Sequence, residues 1–191
     1  MPKLFSLLLS LIAVSAFAQG LTPRRYCEPI KPNVRKVFHL IHTAAGKSDT
    51  TNFEWYTYGQ LDSLDDGTGT ILYSYQDRRP RVTLKGIYSV CDTALTYYPS
   101  RDQTEDSDAV YELRAPLEKD NLWQYQLTDP GMAKIIATGE TVAVPAGTYK
   151  DCIVVRIGDG TTKYYAPDIG IVKTVTKDAN FMDVTELVSV L

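Results

Sequence analysis

Short apolar stretches separated by turn-forming residues run along most of the chain, at a spacing of about ten residues. None of them continues as a helical apolar stripe beyond residue 19. The pattern therefore predicts an all-β domain, built as a single curved antiparallel sheet or a partly open barrel. The predicted strands are 34–42, 53–61, 70–76, 81–90, 92–99, 109–113, 122–128, 132–139, 141–144, 152–157, 161–165, 171–176 and 181–190. The small polar residues 43–51 are predicted to form a loop.

Residues 140–173 carry the strongest turn signals. Pro145-Ala146-Gly147 interrupts a strand, because proline donates no backbone hydrogen bond and glycine reaches positive φ without steric cost. Asp159-Gly160 lies between two extended runs and predicts a hairpin. Residues 166–170 then turn the chain into the next strand. This stretch therefore predicts consecutive antiparallel hairpins.

The same stretch resembles a known group of proteins. VPAGTYKDC followed by YYAPDIGIVK is similar to the signature of the bacterial DUF3108-like and TapB-like families of exported proteins and lipoproteins, departing from it at Asp168-Ile169. The resemblance implies a curved antiparallel sheet akin to envelope lipid carriers, and it implies no catalytic residues. The motif residues are Pro145, Gly147, Cys152, Tyr164, Tyr165, Pro167 and Gly170.

The N-terminus reads as a secretory signal. Lys3 precedes an apolar run, and Ala16-Phe17-Ala18 forms a cleavage site. We expect a signal peptide at 1–18, an extended leader at 19–33 and one β domain at 34–191. No later stretch reaches the roughly 20 apolar residues of a membrane helix. The cleavage site lacks a following cysteine, so we expect an exported protein, periplasmic or extracellular, that is soluble rather than lipid-anchored.

The charge is mildly acidic, with a formal net value of −3, which disfavours nucleic-acid binding. Basic residues are nevertheless concentrated between 24 and 47. They could dock on anionic lipid or an acidic partner, or they could be ordinary solvated side chains. These residues are Arg24, Arg25, Lys31, Arg35, Lys36 and Lys47.

Tyrosine is unusually common, with 13 residues against five phenylalanines. Several aromatic residues recur at period two, so each pair shares one face of a strand. On a concave face they would hold a lipid, a glycan or an extended peptide; alternatively they form a cross-strand packing ladder. The candidate ligand-binding residues are Tyr56, Tyr58, Tyr73, Tyr75, Trp123 and Tyr125.

Candidate catalytic and metal-binding residues do not form a recognisable set. His39 and His42 would project to opposite faces of a strand. Three cysteines, Cys27, Cys91 and Cys152, allow three alternative pairings, and each is better explained as buried or bridged than as reactive. The chain has no Cys-x-x-Cys or His-Glu-x-x-His spacing and no glycine-rich phosphate loop, so we expect neither a metal nor another cofactor.

Carboxylates are the remaining catalytic candidates, but most of them lie at turns, where aspartate is common. They are Asp62, Asp65, Asp66, Asp159 and Glu140. The sequence therefore predicts a non-enzymatic exported protein that binds an apolar or amphipathic envelope ligand. The alternative is a structural or interaction protein of the envelope without a small-molecule ligand. The partners we expect are a lipid, a glycan or an envelope protein.

Overall fold

The computed structural model describes residues 21–27, 34–63, 69–78, 81–99, 109–126, 128 and 131–191, with the backbone alone for 56–63, 69–78 and 81–87. The predicted signal peptide lies outside this part of the chain. The described residues form one short 3-10 turn, Pro23–Tyr26, and twelve strands. The strands are β1 Val34–Ala44, β2 Lys47–Ser63, β3 Gly69–Arg78, β4 Arg81–Cys91, β5 Ala94–Tyr98, β6 Val110–Arg114, β7 Leu122–Gln124, β8 Met132–Val144, β9 Gly147–Ile157, β10 Thr161–Ala166, β11 Gly170–Lys177 and β12 Phe181–Val190.

All twelve strands belong to one antiparallel sheet, in the order β6-β5-β4-β3-β2-β1-β12-β11-β10-β9-β8-β7. Two runs of consecutive hairpins, β1–β6 and β7–β12, are joined where β1 pairs with β12. The two edge strands, β6 and β7, approach each other through one isolated bridge between Val110 and Gln126. The sheet is thus rolled but not closed, and the prediction of an all-β, partly open barrel is confirmed.

The tight turn between β1 and β2 explains why these two strands pair so completely. Between β1 and β2, Ala45 and Gly46 have φ values of 49° and 74°, which matches the two-residue hairpin turn favoured by strand twist. The strands on both sides pair without interruption from Ala44 with Lys47 to Val34 with Thr57. The loop predicted at 43–51 is therefore wrong, because its polar residues lie in exposed parts of a paired hairpin.

The predicted turns at 145–147, 159–160 and 166–170 all separate paired strands in the structure. Between β9 and β10 the turn also recruits Gly158, with φ of 53°. A Cβ at Gly160 would lie 2.9 Å from the Lys177 carbonyl oxygen, so glycine is required there for close approach. The Asp159-Gly160 signal therefore marks both a turn and a contact with the end of β11.

Gly147 provides a direct test of this turn geometry. Its φ is +138°, a backbone conformation that residues with a Cβ rarely adopt. We expect Gly147→Val to lower the free energy of unfolding by about 1–3 kcal/mol, measured by urea denaturation. Thr148→Val, at the next and equally exposed position of β9, should change stability little. Equal stability of both variants and the wild type would contradict strain at Gly147.

The interior contains two clusters of buried side chains. The first, next to β6 and β7, includes Leu113, Trp123, Ile153 and Tyr165. The second includes Phe38, Phe53, Cys152, Val172 and Leu187. Both ends of the β7–β12 run thus contribute to a filled interior.

Residues 21–27, which we call the N-terminal strap, pack against the first cluster. Tyr26 and Cys27 are each 1% exposed. The Tyr26 hydroxyl donates to the Asp151 carbonyl at 2.9 Å, and the Asp168 N–H donates to the Arg25 carbonyl at 2.6 Å. Within the expected leader at 19–33, the described residues include a 3-10 turn that begins at Pro23, since its missing N–H costs nothing at the start of a helical turn.

Candidate functional site

The four tyrosines predicted on β2 and β3 are brought together by the strand register. Tyr56 pairs with Tyr75, and Tyr58 pairs with Tyr73. Directly opposed residues of an antiparallel pair share a face of the sheet, so the four positions form one two-by-two group. We call this group the tyrosine patch. Its side chains lie outside the described part of the structure.

Trp123 and Tyr125, the other two predicted ligand-binding residues, lie at the junction of β6 and β7, which we call the seam. Trp123 is 5% exposed, and its Nε1 donates to the Tyr111 carbonyl at 2.7 Å. The Tyr111 N–H donates to the Tyr125 carbonyl at 2.8 Å. Both residues therefore tie β7 to β6 and pack in the first interior cluster.

A buried polar cluster stands behind the seam. Glu112 of β6 is 4% exposed, and both of its carboxylate oxygens accept hydrogen bonds from Lys163 Nζ at 2.7 Å. The Tyr125 hydroxyl donates to Glu112 Oε1 at 3.2 Å and accepts from Lys163 Nζ at 2.8 Å. The Tyr165 hydroxyl also donates to Glu112. These four residues are called the Glu112 cluster below.

The electrostatics of the Glu112 cluster keep Tyr125, Lys163 and Tyr165 protonated. Burial, reinforced by the Glu112 charge, raises the pKa of Tyr125 and of Tyr165 well above the usual range of tyrosine. Burial alone would lower the pKa of Lys163, but Glu112 and Tyr125 outweigh it, so that pKa is raised. At neutral pH the cluster therefore has a fixed cation and two protonated phenols, an arrangement suited to holding strands together.

A small cavity lies beside the cluster. The volume that the centre of a water molecule can occupy in this cavity is about 10 Å³. The cavity therefore holds roughly one water molecule. Its walls are aromatic and aliphatic, and Glu112 supplies a carboxylate. The lining includes Tyr26, Tyr88, Leu95, Glu112, Tyr165 and Ile171.

The two histidines contact different carboxylates of β12. His39 Nε2 lies 3.1 Å from Glu186 Oε2, and Lys173 Nζ donates to the other oxygen of Glu186 at 2.6 Å. His42 Nδ1 lies 2.5 Å from Asp183 Oδ1. Both histidines lie on β1, which is a strand, so their positions belong to opposite faces of the sheet. Within the described residues, no three His, Cys, Asp or Glu side chains are placed to hold a metal ion.

Several basic residues near the N-terminus are used by the fold. Arg24 forms an ion pair with Asp92 at 3.3 Å, and Arg35 pairs with Glu54. The Lys36 side chain is fully buried, and its Nζ donates to the Ile169 carbonyl at 3.1 Å. Lys31 lies outside the described residues. These contacts favour a structural role for Arg24, Arg35 and Lys36 over a free basic surface.

The motif residues of 140–173 divide into turn and core positions. Gly147 and Gly170 have positive φ, and Pro145 and Pro167 lie in turns. Cys152 and Tyr165 are fully buried, whereas Tyr164 packs partly buried on the second cluster. The motif thus shapes the hairpins, and through Tyr165 it also contributes to the Glu112 cluster.

All three cysteines lie in the described part of the chain, and no disulfide links them there. Burial raises the pKa of the Cys152 thiol to about 11, and the thiol donates to the Tyr149 carbonyl at 3.5 Å. Since the thiolate is the nucleophile, Cys152 is poorly reactive at neutral pH. Cys27 is also buried, whereas Cys91 is partly accessible.

Thiol labelling tests this order of reactivity. We expect a disulfide reagent at pH 8 to modify Cys91 first in the native protein and to reach Cys27 and Cys152 only after unfolding in urea, because burial excludes the reagent. Cys91→Ser should leave the native protein almost unlabelled. Rapid labelling of native Cys91→Ser would show that a buried thiol is accessible.

Glu112 and Lys163 were missed by the sequence analysis. Each is a charged residue within a short strand, where a solvent-facing position is the ordinary expectation. The sequence does offer one signal for Lys163: it directly precedes the Tyr164-Tyr165 pair of the motif, and this position could have marked it as a candidate site residue.

Within the described residues, no helix is long and apolar enough to cross a membrane. No protein-family model matches the chain, and no curated protein sequence matches it either, so the DUF3108-like and TapB-like resemblance is not confirmed by a family match.

Solved structures do match. An exported-protein candidate with a YmcC-like fold from Bacteroides fragilis aligns over 86% of this chain and 98% of its own, with 15% identity and a TM-score of 0.60. A lipoprotein candidate from Parabacteroides distasonis aligns over 91% of this chain and 100% of its own, with 15% identity and a TM-score of 0.54. The chain therefore shares its rolled-sheet fold with these two proteins.

Proposed function

We propose that this is an exported, non-enzymatic binding protein for an apolar or amphipathic ligand of the cell envelope, which contacts the tyrosine patch. One observation carries the proposal: the register of β2 and β3 pairs Tyr56 with Tyr75 and Tyr58 with Tyr73. Tyrosines at four neighbouring positions on one face of the sheet bring together apolar rings and hydroxyl groups, a combination suited to amphipathic molecules.

The chemistry of the described residues supports binding over catalysis. The Glu112 cluster has its carboxylate oxygens, its ammonium group and its phenols engaged with one another. Both histidines are paired with carboxylates, and the Cys152 thiol is buried with a raised pKa. A general base or an activated nucleophile needs a free lone pair directed at substrate, which the Glu112 cluster and the Cys152 thiol do not offer.

Export is supported by the N-terminal leader pattern and by the fold. The apolar run followed by Ala16-Phe17-Ala18 has the features of a secretory signal. The two proteins that share the fold are described as candidates for an exported protein and a lipoprotein. The cell envelope is therefore where we expect the ligand to be met.

A second candidate function, docking to an envelope protein, is favoured by the packing of β2. Phe53 and Trp55 are the β2 residues that contact Phe38 in the interior. Because successive strand positions alternate between faces, positions 56 and 58 belong to the face opposite that of Trp55. A partner protein could reach that face more readily than an enclosed ligand could.

Native mass spectrometry of the protein purified from its host envelope tests the proposal. We expect a discrete added mass that is released as lipid or glycan on denaturation. Tyr56→Ser/Tyr75→Ser should lose it, whereas Tyr56→Phe/Tyr75→Phe, which keeps the rings, should retain it. If the measured mass equals that of the processed chain alone, the proposal of a bound ligand is refuted. A protein that co-purifies with the wild type but not with the serine variant would establish the second candidate function.

A further inference from the structure

The β8–β9 hairpin is bent by a bulge on each strand. The register of the two strands shifts twice between Ala137 and Val142. Gly139 of β8 and Asp151 of β9 lie at these shifts and have φ values of 74° and 56°. Bulges interrupt the regular ladder of an antiparallel pair and bend the bulged strands. They therefore set apart the end of this hairpin, residues 140–150, which we call the flap.

The flap lies over the second interior cluster. Val142 is buried in that cluster, and Val144, Ala146 and Tyr149 pack against it from the flap. The tip is fixed to β12, because the Ala146 N–H donates to the Leu187 carbonyl at 3.0 Å. The other positions of the flap are exposed. The flap is therefore amphipathic, and its inner side covers the apolar cluster.

The N-terminal strap reaches the flap through the bulge on β9. In the described pairing of β9, Asp151 has no register partner on β8 or on β10. Its carbonyl oxygen accepts a hydrogen bond from the Tyr26 hydroxyl at 2.9 Å instead. A left-handed backbone is sterically costly for a residue with a Cβ, so it persists where the surroundings fix it. Because Tyr26 is itself buried, the packing of the strap helps to fix the bulge at Asp151.

A second strap contact involves the same sequence motif. Asp168 also has a positive φ, of 60°, and its N–H donates to the Arg25 carbonyl at 2.6 Å. Two of the four described non-glycine residues with positive φ, Asp151 and Asp168, are thus bonded to the strap. The flap tip, its bend and both strap contacts all belong to residues 140–173. The motif therefore connects the strap with the flap, in addition to forming turns.

We propose that the N-terminal strap controls the flap: docking of Tyr26 fixes the bulge at Asp151, and the fixed bulge holds the flap closed over the second interior cluster. Release of the strap removes the hydrogen bond to the Asp151 carbonyl and allows the bulge to relax. The flap then lifts and exposes apolar side chains of the cluster such as Phe38 and Leu187. This control does not involve the tyrosine patch, so it is independent of the proposed function.

Amide hydrogen exchange of the intact chain, followed by NMR, tests this control. The Ala146 N–H reports on the flap, and the Val155 N–H reports on the part of β9 that pairs with β8 and β10. In the wild type we expect Ala146 to exchange faster than Val155, because the flap opens without global unfolding. Tyr26→Phe keeps the ring and removes the hydroxyl, so it should speed exchange at Ala146 by about fivefold, the effect of one hydrogen bond.

Trp123→Phe is the matched control, because it also removes an aromatic donor to a backbone carbonyl in the first interior cluster, the bond from Nε1 to Tyr111. It should speed exchange at Val155, which follows global stability, and leave Ala146 unchanged. Three results would each overturn control of the flap by the strap: unchanged exchange at Ala146 in Tyr26→Phe, equal acceleration of Ala146 by both variants, or wild-type protection of Ala146 equal to that of Val155.

Discussion

Lys163→Met should lower the free energy of unfolding by about 3–5 kcal/mol, because it leaves the Glu112 carboxylate buried without its cation. The Lys163 side chain is 15% exposed and that of Glu112 is 5% exposed, so solvent screens the pair little. Urea denaturation followed by tryptophan fluorescence measures the loss, because Trp123 packs in the first interior cluster together with Tyr165 of the Glu112 cluster.

The double variant Glu112→Gln/Lys163→Met is the matched control for that loss. It removes both charges, so it should be more stable than Lys163→Met alone. Methionine keeps most of the length and apolar area of the lysine stem, so lost packing contributes little to the difference. If the single and double variants unfold at the same urea concentration, the buried ion pair does not determine the loss.

Tyr26→Ala should cost about 3–5 kcal/mol, the range for removing a buried aromatic ring. Tyr26 is 1% exposed and belongs to the first interior cluster, although it precedes the first strand. We expect the variant to unfold at a lower urea concentration, with residues 21–27 losing their protection from proteolysis.

Tyr26→Phe separates the ring from the hydroxyl. It keeps the packing and removes the hydrogen bond to the Asp151 carbonyl, so a loss of only about 1 kcal/mol is expected. Wild-type stability of Tyr26→Ala would show that the N-terminal strap is dispensable and that the domain begins at β1.

The strands and most turns could be predicted from the sequence because their signals are local. Asp159-Gly160 and Pro145-Ala146-Gly147 restrict φ at the residues that turn, and the apolar runs between them identify the strands. The exception, 43–51, shows the limit of composition. Its threonines and aspartate read as a loop, yet the Ala45-Gly46 turn carries the pairing through them.

The Glu112 cluster could not be predicted, because its members are distant in sequence. Glu112 and Lys163 are 51 residues apart, and Tyr165 is 53 residues from Glu112. Their contact depends on how far the sheet rolls and on where its edges meet, and neither is encoded in any local pattern. The tyrosine patch was easier to anticipate, since period-two spacing gave the pairs and only the register was missing.

The pairing of β1 with β12 has a consequence for the order of folding. Within each run of hairpins the contacts are local, but His39 and Glu186 are 147 residues apart. Loop-closure entropy makes such a contact slow to form, so we expect each run to assemble as an independent ribbon and the two ribbons to join last. Leu187→Ala, on the joining strand, should then speed unfolding more than it slows refolding in stopped-flow kinetics. A chain that emerges N-terminus first could complete its first ribbon before the second exists, and the cell would have to protect the unpaired edge of β1 until β12 arrives.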